Sequence, residues 1–387
     1  CITKSYLACS INTMMNRVYM KVAYLLGSLN RGGTETLLLD VFRSADKAPF
    51  SFVGIHRKGG AYRDDFYATQ PVFLQCAPTH HNILSYIRRL RKCLQKQQVT
   101  IVHAQQYIDA LYAKLATWGT GIKVVETFHG YDYGTTRWEK ILIQLSIRWS
   151  NAVCFVSNAQ RQYYLRHYTF GNQEKTHIIY NGIDFSKLDI VSGPLCDLPS
   201  KIPPALRGMK LAMVGNFVRV RAQSSLCQFL FRLAQEHIPY DFYFVGKRDE
   251  KEPWRYDQCV QFCKDNHLDM VHFLGSRNDV PQILQQLDAF VYATDHDTFG
   301  IAVVEAMAAG VPVFVNDNEV MVEVTRGGEW ATLYQTNSAE DLWLHFGTFI
   351  RNRDACKQQA QHIAQQVRQH YSIEHHLQQL YEVYKRQ

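Results

Sequence analysis

Short apolar runs, each closed by glycine or a polar turn, alternate with segments of helical period along nearly the whole chain. Val18–Leu26 (VYMKVAYLL) is mostly apolar and runs into Gly27, the pattern of a strand buried on both faces. A loop, Gly32-Gly33 and helical spacing through Thr36–Phe42 follow. Strand, glycine loop and helix together open a doubly wound α/β domain. Phe50–His56 and Val72–Gln75 read as further strands. Ile83–Gln98 is an amphipathic helix, with Ile83, Leu84, Ile87, Leu90 and Leu94 at helical spacing, and Thr100–His103 is the strand after it. Val124–Phe128 ends at His129-Gly130, Ala152–Ser157 precedes another helix, and His177–Tyr180 ends at Asn181-Gly182. Strands alternating with helices predict a parallel sheet.

Residues 189–205, rich in Pro, Ser and Gly, break this rhythm and form the best linker candidate. Beyond them it restarts. Lys210–Val214, Asp241–Val245 and Val271–Leu274 each end in glycine, Ala289–Ala293 ends near Asp295, and a helix over 301–309 precedes Val311–Val315. The Gln-rich stretch from about 355 to 387 is helical, and no repeat or low-complexity tract stands out. Two α/β domains in tandem are therefore expected, about 17–188 and 205–369. Ligands in such sheets sit where strands end in polar or glycine turns.

Composition narrows the class. Over 387 residues, 47% are hydrophobic and 20% charged, which excludes a disordered chain, a collagen and a disulfide miniprotein. No run of 18 apolar residues occurs, against a spanning helix. Ten scattered cysteines without a secretory leader fit a reducing cytoplasm. Cys259, Cys263 and His267 share a helix face; zinc would need a fourth ligand and usually tighter spacing, so buried thiols are the plainer expectation. His80-His81 and His375-His376 lack metal spacing and read as surface or packing residues.

Charge changes the picture further. Residues 1–184 hold 22 Lys+Arg and 11 Asp+Glu, whereas the rest hold 20 and 24. The first half is thus basic and the second mildly acidic. Arg88, Arg89, Arg91, Lys92 and Lys96 cover the outer surface of the 83–98 helix. This is either an ordinary solvated face or a contact for an anionic membrane. No nucleic-acid motif accompanies the charge.

Two motifs carry candidate chemistry. The first is Gly27-Ser-Leu-Asn-Arg-Gly32-Gly33-Thr-Glu35, where paired glycines let a ligand approach backbone amides at a helix N-terminus. It lacks the GxGxxG spacing of a dinucleotide site. The second is Asp297-Thr-Phe299-Gly300-Ile-Ala-Val-Val-Glu305 through Pro312. A helix starting near Gly300 places Glu305 inside it and Asp297 in the loop before, and carboxylates accept hydrogen bonds from sugar hydroxyls. Asp295-His296-Asp297 spells DxD, a metal-binding pattern in other folds, but here it precedes a Phe-Gly helix start.

This string resembles the E-x7-E motif of the retaining GT-B glycosyltransferases of family 4 (glycosyl transferases group 1). GxxxxGGxE at Gly27–Glu35, His129-Gly130, Val156-Ser157-Asn158-Ala159, Tyr180-Asn181-Gly182-Ile183-Asp184 and Val214-Gly215 through Arg221 are similar to other family elements in matching order. Departures are Asp297 for the usual Glu, Thr298 for Gly, Asn216 for Arg, Arg221 for Lys, and Gly246-Lys247-Arg248 for Gly-Asp-Gly. The resemblance implies two Rossmann-like domains facing across a cleft, with the C-terminal helix (about 370–387) joining the first. It implies transfer of a sugar from a nucleotide-sugar donor to an acceptor hydroxyl with retention, in cell-surface polysaccharide or glycolipid assembly. Glu305 would bind the nucleotide ribose, Asp297 the donor sugar, Arg221 the departing diphosphate, and His129 the sugar as positive charge develops. Gly32, Gly33, Asn216, Arg219, Lys247, Arg248, Phe299, Gly300 and Asn181 would complete donor binding. No cofactor, obligatory metal or nucleophile is implied. The expected partners are a nucleotide sugar, a lipid-linked or glycan acceptor and an anionic membrane at the cytoplasmic face, not nucleic acid. A non-catalytic sugar-nucleotide or glycan-binding protein and a GT-B sugar-nucleotide epimerase stay open as alternatives.

Overall fold

The computed structural model describes residues 20–30, 32–77, 82–133, 135–189, 196–200 and 208–387. The chain divides into two compact units, one of residues up to Asp184 with Ser372–Gln387, the other Phe185–Tyr371. The first 19 residues, Arg31, His80-His81 and most of the expected linker lie outside the described residues. Residues 196–200 belong with the second unit: Tyr243 Oη donates to the Pro199 carbonyl at 2.9 Å, and Gln286 to that of Cys196 at 3.1 Å.

Unit one is built on seven parallel strands: β1 (Lys21–Leu26), β2 (Ser51–His56), β3 (Phe73–Gln75), β4 (Ile101–Ala104), β5 (Lys123–Phe128), β6 (Ala152–Phe155) and β7 (Thr176–Ile178). Their spatial order is β3-β2-β1-β4-β5-β6-β7. Apolar residues line both faces of β1, as its continuous run requires. Val22, Tyr24 and Leu26 pack with Leu38, Leu39 and Phe42 of helix Gly33–Arg43. Ala23 and Leu25 pack on the other side with Tyr86, Leu90 and Leu94 of helix Ile83–Lys96. That helix differs from the sequence pattern at its start. Ile83 and Leu84 are 52% and 66% exposed, and Tyr86 takes the buried position instead. Asn82 caps the helix through Ser85 N at 2.9 Å, which starts it beyond the sheet's cover. Helix Ile373–Lys385 adds Leu377, Leu380 and Tyr384 to the β1 core. Tyr384 Oη meets His103 Nδ1 at 2.6 Å, tying the chain terminus to β4.

Unit two repeats the plan with β8 (Met209–Val214), β9 (Tyr240–Val245), β10 (Val271–Gly275), β11 (Ala289–Tyr292), β12 (Val313–Asn316) and β13 (Thr332–Tyr334). Their parallel order is β10-β9-β8-β11-β12-β13. In both sheets the first strand lies between the second and fourth of its unit. Successive crossovers therefore leave in opposite directions from that point, opening a crevice at the carboxyl ends of the neighbouring strands where ligands bind in such folds.

Candidate active site

In unit two the crevice between β8 and β11 is closed by Arg221. The loop after β8 crosses to the end of β11, where Arg221 and Thr294 form an isolated antiparallel bridge. The Arg221 guanidinium donates through Nη1 to Thr294 Oγ1 at 2.8 Å and to the His296 carbonyl at 3.3 Å. The same nitrogen lies 3.1 Å from Asp297 Oδ2. Asp297 Oδ2 also accepts from Tyr292 Oη at 3.1 Å, while Oδ1 accepts from Thr298 N at 2.8 Å. The Tyr292 ring lies 5.3 Å from the guanidinium carbon. Burial alone would lower the Arg221 pKa, but the fields of Tyr292 and Asp297 outweigh it and hold the value above the usual one. This group is a permanent cation. Its Nε is buried and has no hydrogen-bond partner, an expensive state unless a ligand oxygen meets it.

The glycines following the strands bring backbone close to that cation. A Cβ at Gly215 would lie 3.4 Å from Arg221 Nε, and one at Gly246 would lie 2.1 Å from the Gly215 carbonyl oxygen. The two loops can touch only because position 246 has no side chain. Asn216 Oδ1 accepts from Lys247 N at 3.0 Å, so that side chain fastens one loop to the other. Arg248 is exposed and gripped by both oxygens of Asp257 at 2.8 and 2.6 Å. Arg219 and Lys247 are exposed and have no carboxylate partner among the described residues. Of the cations expected at the donor, then, Arg221 alone is fastened to the acidic motif.

Helix Ile301–Ala308 begins at Gly300, whose φ of +83° only glycine adopts at little cost. Phe299 is buried and packs edge-on to Tyr371 at 5.3 Å. This seats the helix start beside Asp297, whose Oδ2 would lie 3.8 Å from a Cβ at Gly300. Glu305 lies within the helix and is partly exposed.

In unit one, His129 follows β5 and lines a pocket of about 500 Å³ with Glu35, Gln105, Tyr107, Asp132 and Tyr164. Its Nε2 is 2.7 Å from Gln105 Oε1. Desolvation, then the nearby His376, push its pKa down to about 4, so the ring is neutral at physiological pH. His376 is likewise pushed down to about 4 by burial, and bonds the Tyr180 carbonyl at 2.7 Å. Tyr163 and Tyr168 each donate to Asp132 at 2.5 Å. Asn181 is buried near His129 and His376, and its Oδ1 has no partner. Gly32 precedes helix Gly33–Arg43 in extended backbone. A Cβ there would meet only the mobile end of Glu35, and one at Gly33 meets nothing within 4 Å. Ser157 caps helix Asn158–His167 by accepting from Gln160 N at 3.2 Å.

Sequence reasoning missed Gln105, Tyr292, Thr294 and His376. The first and third follow strand ends, which was the available signal; Tyr292 reads only as strand, and His376 comes from the far end of the chain. Cys259 and Cys263 are buried as the helix face required, and His267 is exposed past the helix end. Among the described residues no group of three or more His, Cys, Asp or Glu could hold a metal ion.

Two parallel doubly wound units, with a cation and carboxylate at the switch point of the second, define a GT-B glycosyltransferase. The family model described as Glycosyltransferase Family 4 matches residues 31–187, and that described as Glycosyl transferases group 1 matches residues 200–369. The chain belongs to this family, and it is a glycosyltransferase. Among curated proteins it is 23% identical over 328 residues to the Escherichia coli UDP-Gal:alpha-D-GlcNAc-diphosphoundecaprenol alpha-1,3-galactosyltransferase, covering 79% of this chain and 82% of that one. Among solved structures, Anabaena HepE in complex with UDP shares the fold at a TM-score of 0.79 and 18% identity, over 95% of this chain and 100% of that one. A Rickettsia africae glycosyltransferase does so at 0.78 and 18%, over 95% and 98%.

Proposed function

We propose that the protein transfers a hexosyl or related sugar from a nucleotide sugar to a hydroxyl of a lipid-linked or glycan acceptor, with retention at the anomeric carbon. The buried, unpartnered Arg221 Nε beside Gly215 carries this reading. It is a fixed donor on a permanent cation, directed where glycine backbone admits a bulky anion. A diphosphate leaving group gains negative charge as the glycosidic bond breaks, and a preorganised cation stabilises that charge more than the ground state. The first amides of helix Ile301–Ala308 add the positive end of its dipole. Asp297 holds Arg221 in place and presents oxygens to the sugar hydroxyls, and Glu305 receives the ribose hydroxyls.

His129, neutral and fixed by Gln105, meets the sugar with a dipole rather than a positive charge. That polarity suits an anomeric carbon becoming cationic. The acceptor oxygen forms its bond on the face from which the diphosphate departs, and a phosphate oxygen takes the acceptor proton. No side chain becomes covalently attached. The related transferase whose name specifies a diphosphoundecaprenol acceptor supports a lipid-linked acceptor, and hence work at a cytoplasmic membrane face in polysaccharide or glycolipid synthesis.

The test is a panel of UDP-glucose, UDP-galactose, UDP-N-acetylglucosamine and GDP-mannose followed by thermal shift, because a ligand of the folded state raises its melting point. At least one donor should stabilise the protein, and Glu305→Gln should lose that shift. A Glu305→Gln variant with unchanged shift and turnover would overturn the assignment.

A further inference from the structure

A hollow of unit one, lined by charge and indole, lies at the opposite end of the sheet from His129. It measures about 560 Å³ and is lined by Lys114, Lys123, Arg148, Trp118, Trp149 and the Thr117–Gly121 turn. Lys123 opens β5, and Asn151 precedes β6, which places the hollow at the amino ends of these strands. Trp118 is 74% exposed and Trp149 37%. Burial, then the fields of Lys123 and Lys175, lower the Lys114 pKa. These cations repel one another, and an anion among them would relieve it. None of Lys114, Lys123 and Arg148 has a carboxylate partner among the described residues.

The same surface continues onto helix Ile83–Lys96. Arg91 Nη1 donates to the Trp118 carbonyl at 2.9 Å, so Trp118 sits against that helix. The helix carries no acidic residue, and its outer row runs Leu84, Arg88, Lys92, Lys96, all exposed. Isolated exposed apolar residues need no explanation, but here Ile83, Leu84, Leu115, Trp118 and Trp149 interleave with basic side chains and no acid. Indoles favour the level of lipid headgroups, and Lys and Arg favour an anionic leaflet.

We propose that this surface, from Leu84 through Trp118 to Trp149, is where the protein docks on an anionic phospholipid bilayer. Trp118 and Trp149 enter the headgroup layer, and Lys114, Lys123 and Arg148 hold a lipid phosphate between them. The proposal rests on the reading of a membrane-borne acceptor and gives it a location. It places the membrane along the side of unit one, where the exposed Ile83-Leu84 end of the helix lies near the carboxyl ends of the strands and the row of cations extends to the other end.

Co-sedimentation of the full chain with phosphatidylcholine vesicles, with and without phosphatidylglycerol, tests it. Binding should require phosphatidylglycerol and weaken with salt. Lys114→Gln/Lys123→Gln/Arg148→Gln should weaken it about 100-fold, at about fivefold per charge. Trp118→Ala/Trp149→Ala should abolish the blue shift of tryptophan emission that vesicles induce. Equal binding to both vesicles, an unchanged blue shift, or full displacement by millimolar inorganic phosphate would overturn the proposal. Donor-induced thermal shift in the same variants keeps the two claims separate. A retained shift with lost vesicle binding supports docking through this surface, whereas absence of any donor shift in the wild type counts against the transferase reading alone.

Discussion

Replacing Arg221 by Met separates the chemical role of this cation from its structural one. The guanidinium makes bonds of 2.8, 3.1 and 3.3 Å to Thr294, Asp297 and His296. Removing one member of a buried ion pair costs roughly 3–5 kcal/mol when the other is stranded. Asp297 would not be stranded, because it keeps Tyr292 Oη at 3.1 Å and Thr298 N at 2.8 Å. Its side chain is also 11% exposed. The stability loss should therefore fall to roughly 1–2 kcal/mol, the scale of lost net hydrogen bonds, lowering the melting point by about 2–8 °C. The leaving diphosphate has no comparable substitute. Loss of one preorganised donor costs about 100- to 1000-fold in kcat, so activity should collapse in a protein still folded at 25 °C. Arg221→Lys, which keeps charge without the fork, should lie between. The assay is nucleoside diphosphate release from whichever donor stabilises the wild type, alongside a melting curve. Turnover within about threefold of wild type, or a loss that simply follows the unfolded fraction, would refute the reasoning.

Other expectations follow from single groups. With its pKa pushed down to about 4, His129 stays neutral at working pH. Hence kcat/KM should show no limb near pH 6.5 that His129→Gln abolishes, and a limb that does disappear would contradict a neutral ring. Glu126 is buried and pushed from 4.5 up to about 8, chiefly by desolvation. The folded state then holds a proton that the unfolded state has lost between those values, so stability falls as pH rises through that window and levels above about 8. At pH 7 the penalty is roughly 3 kcal/mol at about 1.36 per pH unit. Glu126→Gln should raise the melting point of unit one at pH 7–9 and change it little at pH 5, as scanning calorimetry at the three pH values will show. Gly246→Ala places a methyl 2.1 Å from the Gly215 oxygen and 2.9 Å from Asn216 N, backbone that cannot swing aside. It should cost about 1–3 kcal/mol and weaken donor binding together with stability, whereas Gly33→Ala, in open space, should not clash. Calorimetry and donor titration of both variants check this.

Most strands were legible because a doubly wound sheet buries both faces and leaves each strand as an apolar run ending in glycine or a polar turn; the three-residue β13 (Thr332–Tyr334) and the spatial order of the strands were not. The acidic motif was legible because Gly300 and the helix behind it fix Asp297 and Glu305 locally. What escaped involves contacts that spacing does not encode. The Gln105 bond to His129 joins two strand ends 24 residues apart, and His376 returns to Tyr180 across 196 residues. Asn216 and Arg248 both stand among the residues expected to complete donor binding, and spacing does not reveal that one side chain latches Lys247 N while the other is held by Asp257. The apolar stripe of helix Ile83–Lys96 gave its period correctly but not its depth. Periodicity does not say where the sheet's cover ends, and Ile83 and Leu84 project beyond it.

The central claim is glycosyl transfer with the sugar's configuration kept, driven by a diphosphate held at Arg221. Proton NMR of the glycoside formed from an α-linked nucleotide sugar tests it most directly, because the anomeric coupling of the new bond reports its configuration. An α-linked product is the expected result. A β-linked product would contradict the account.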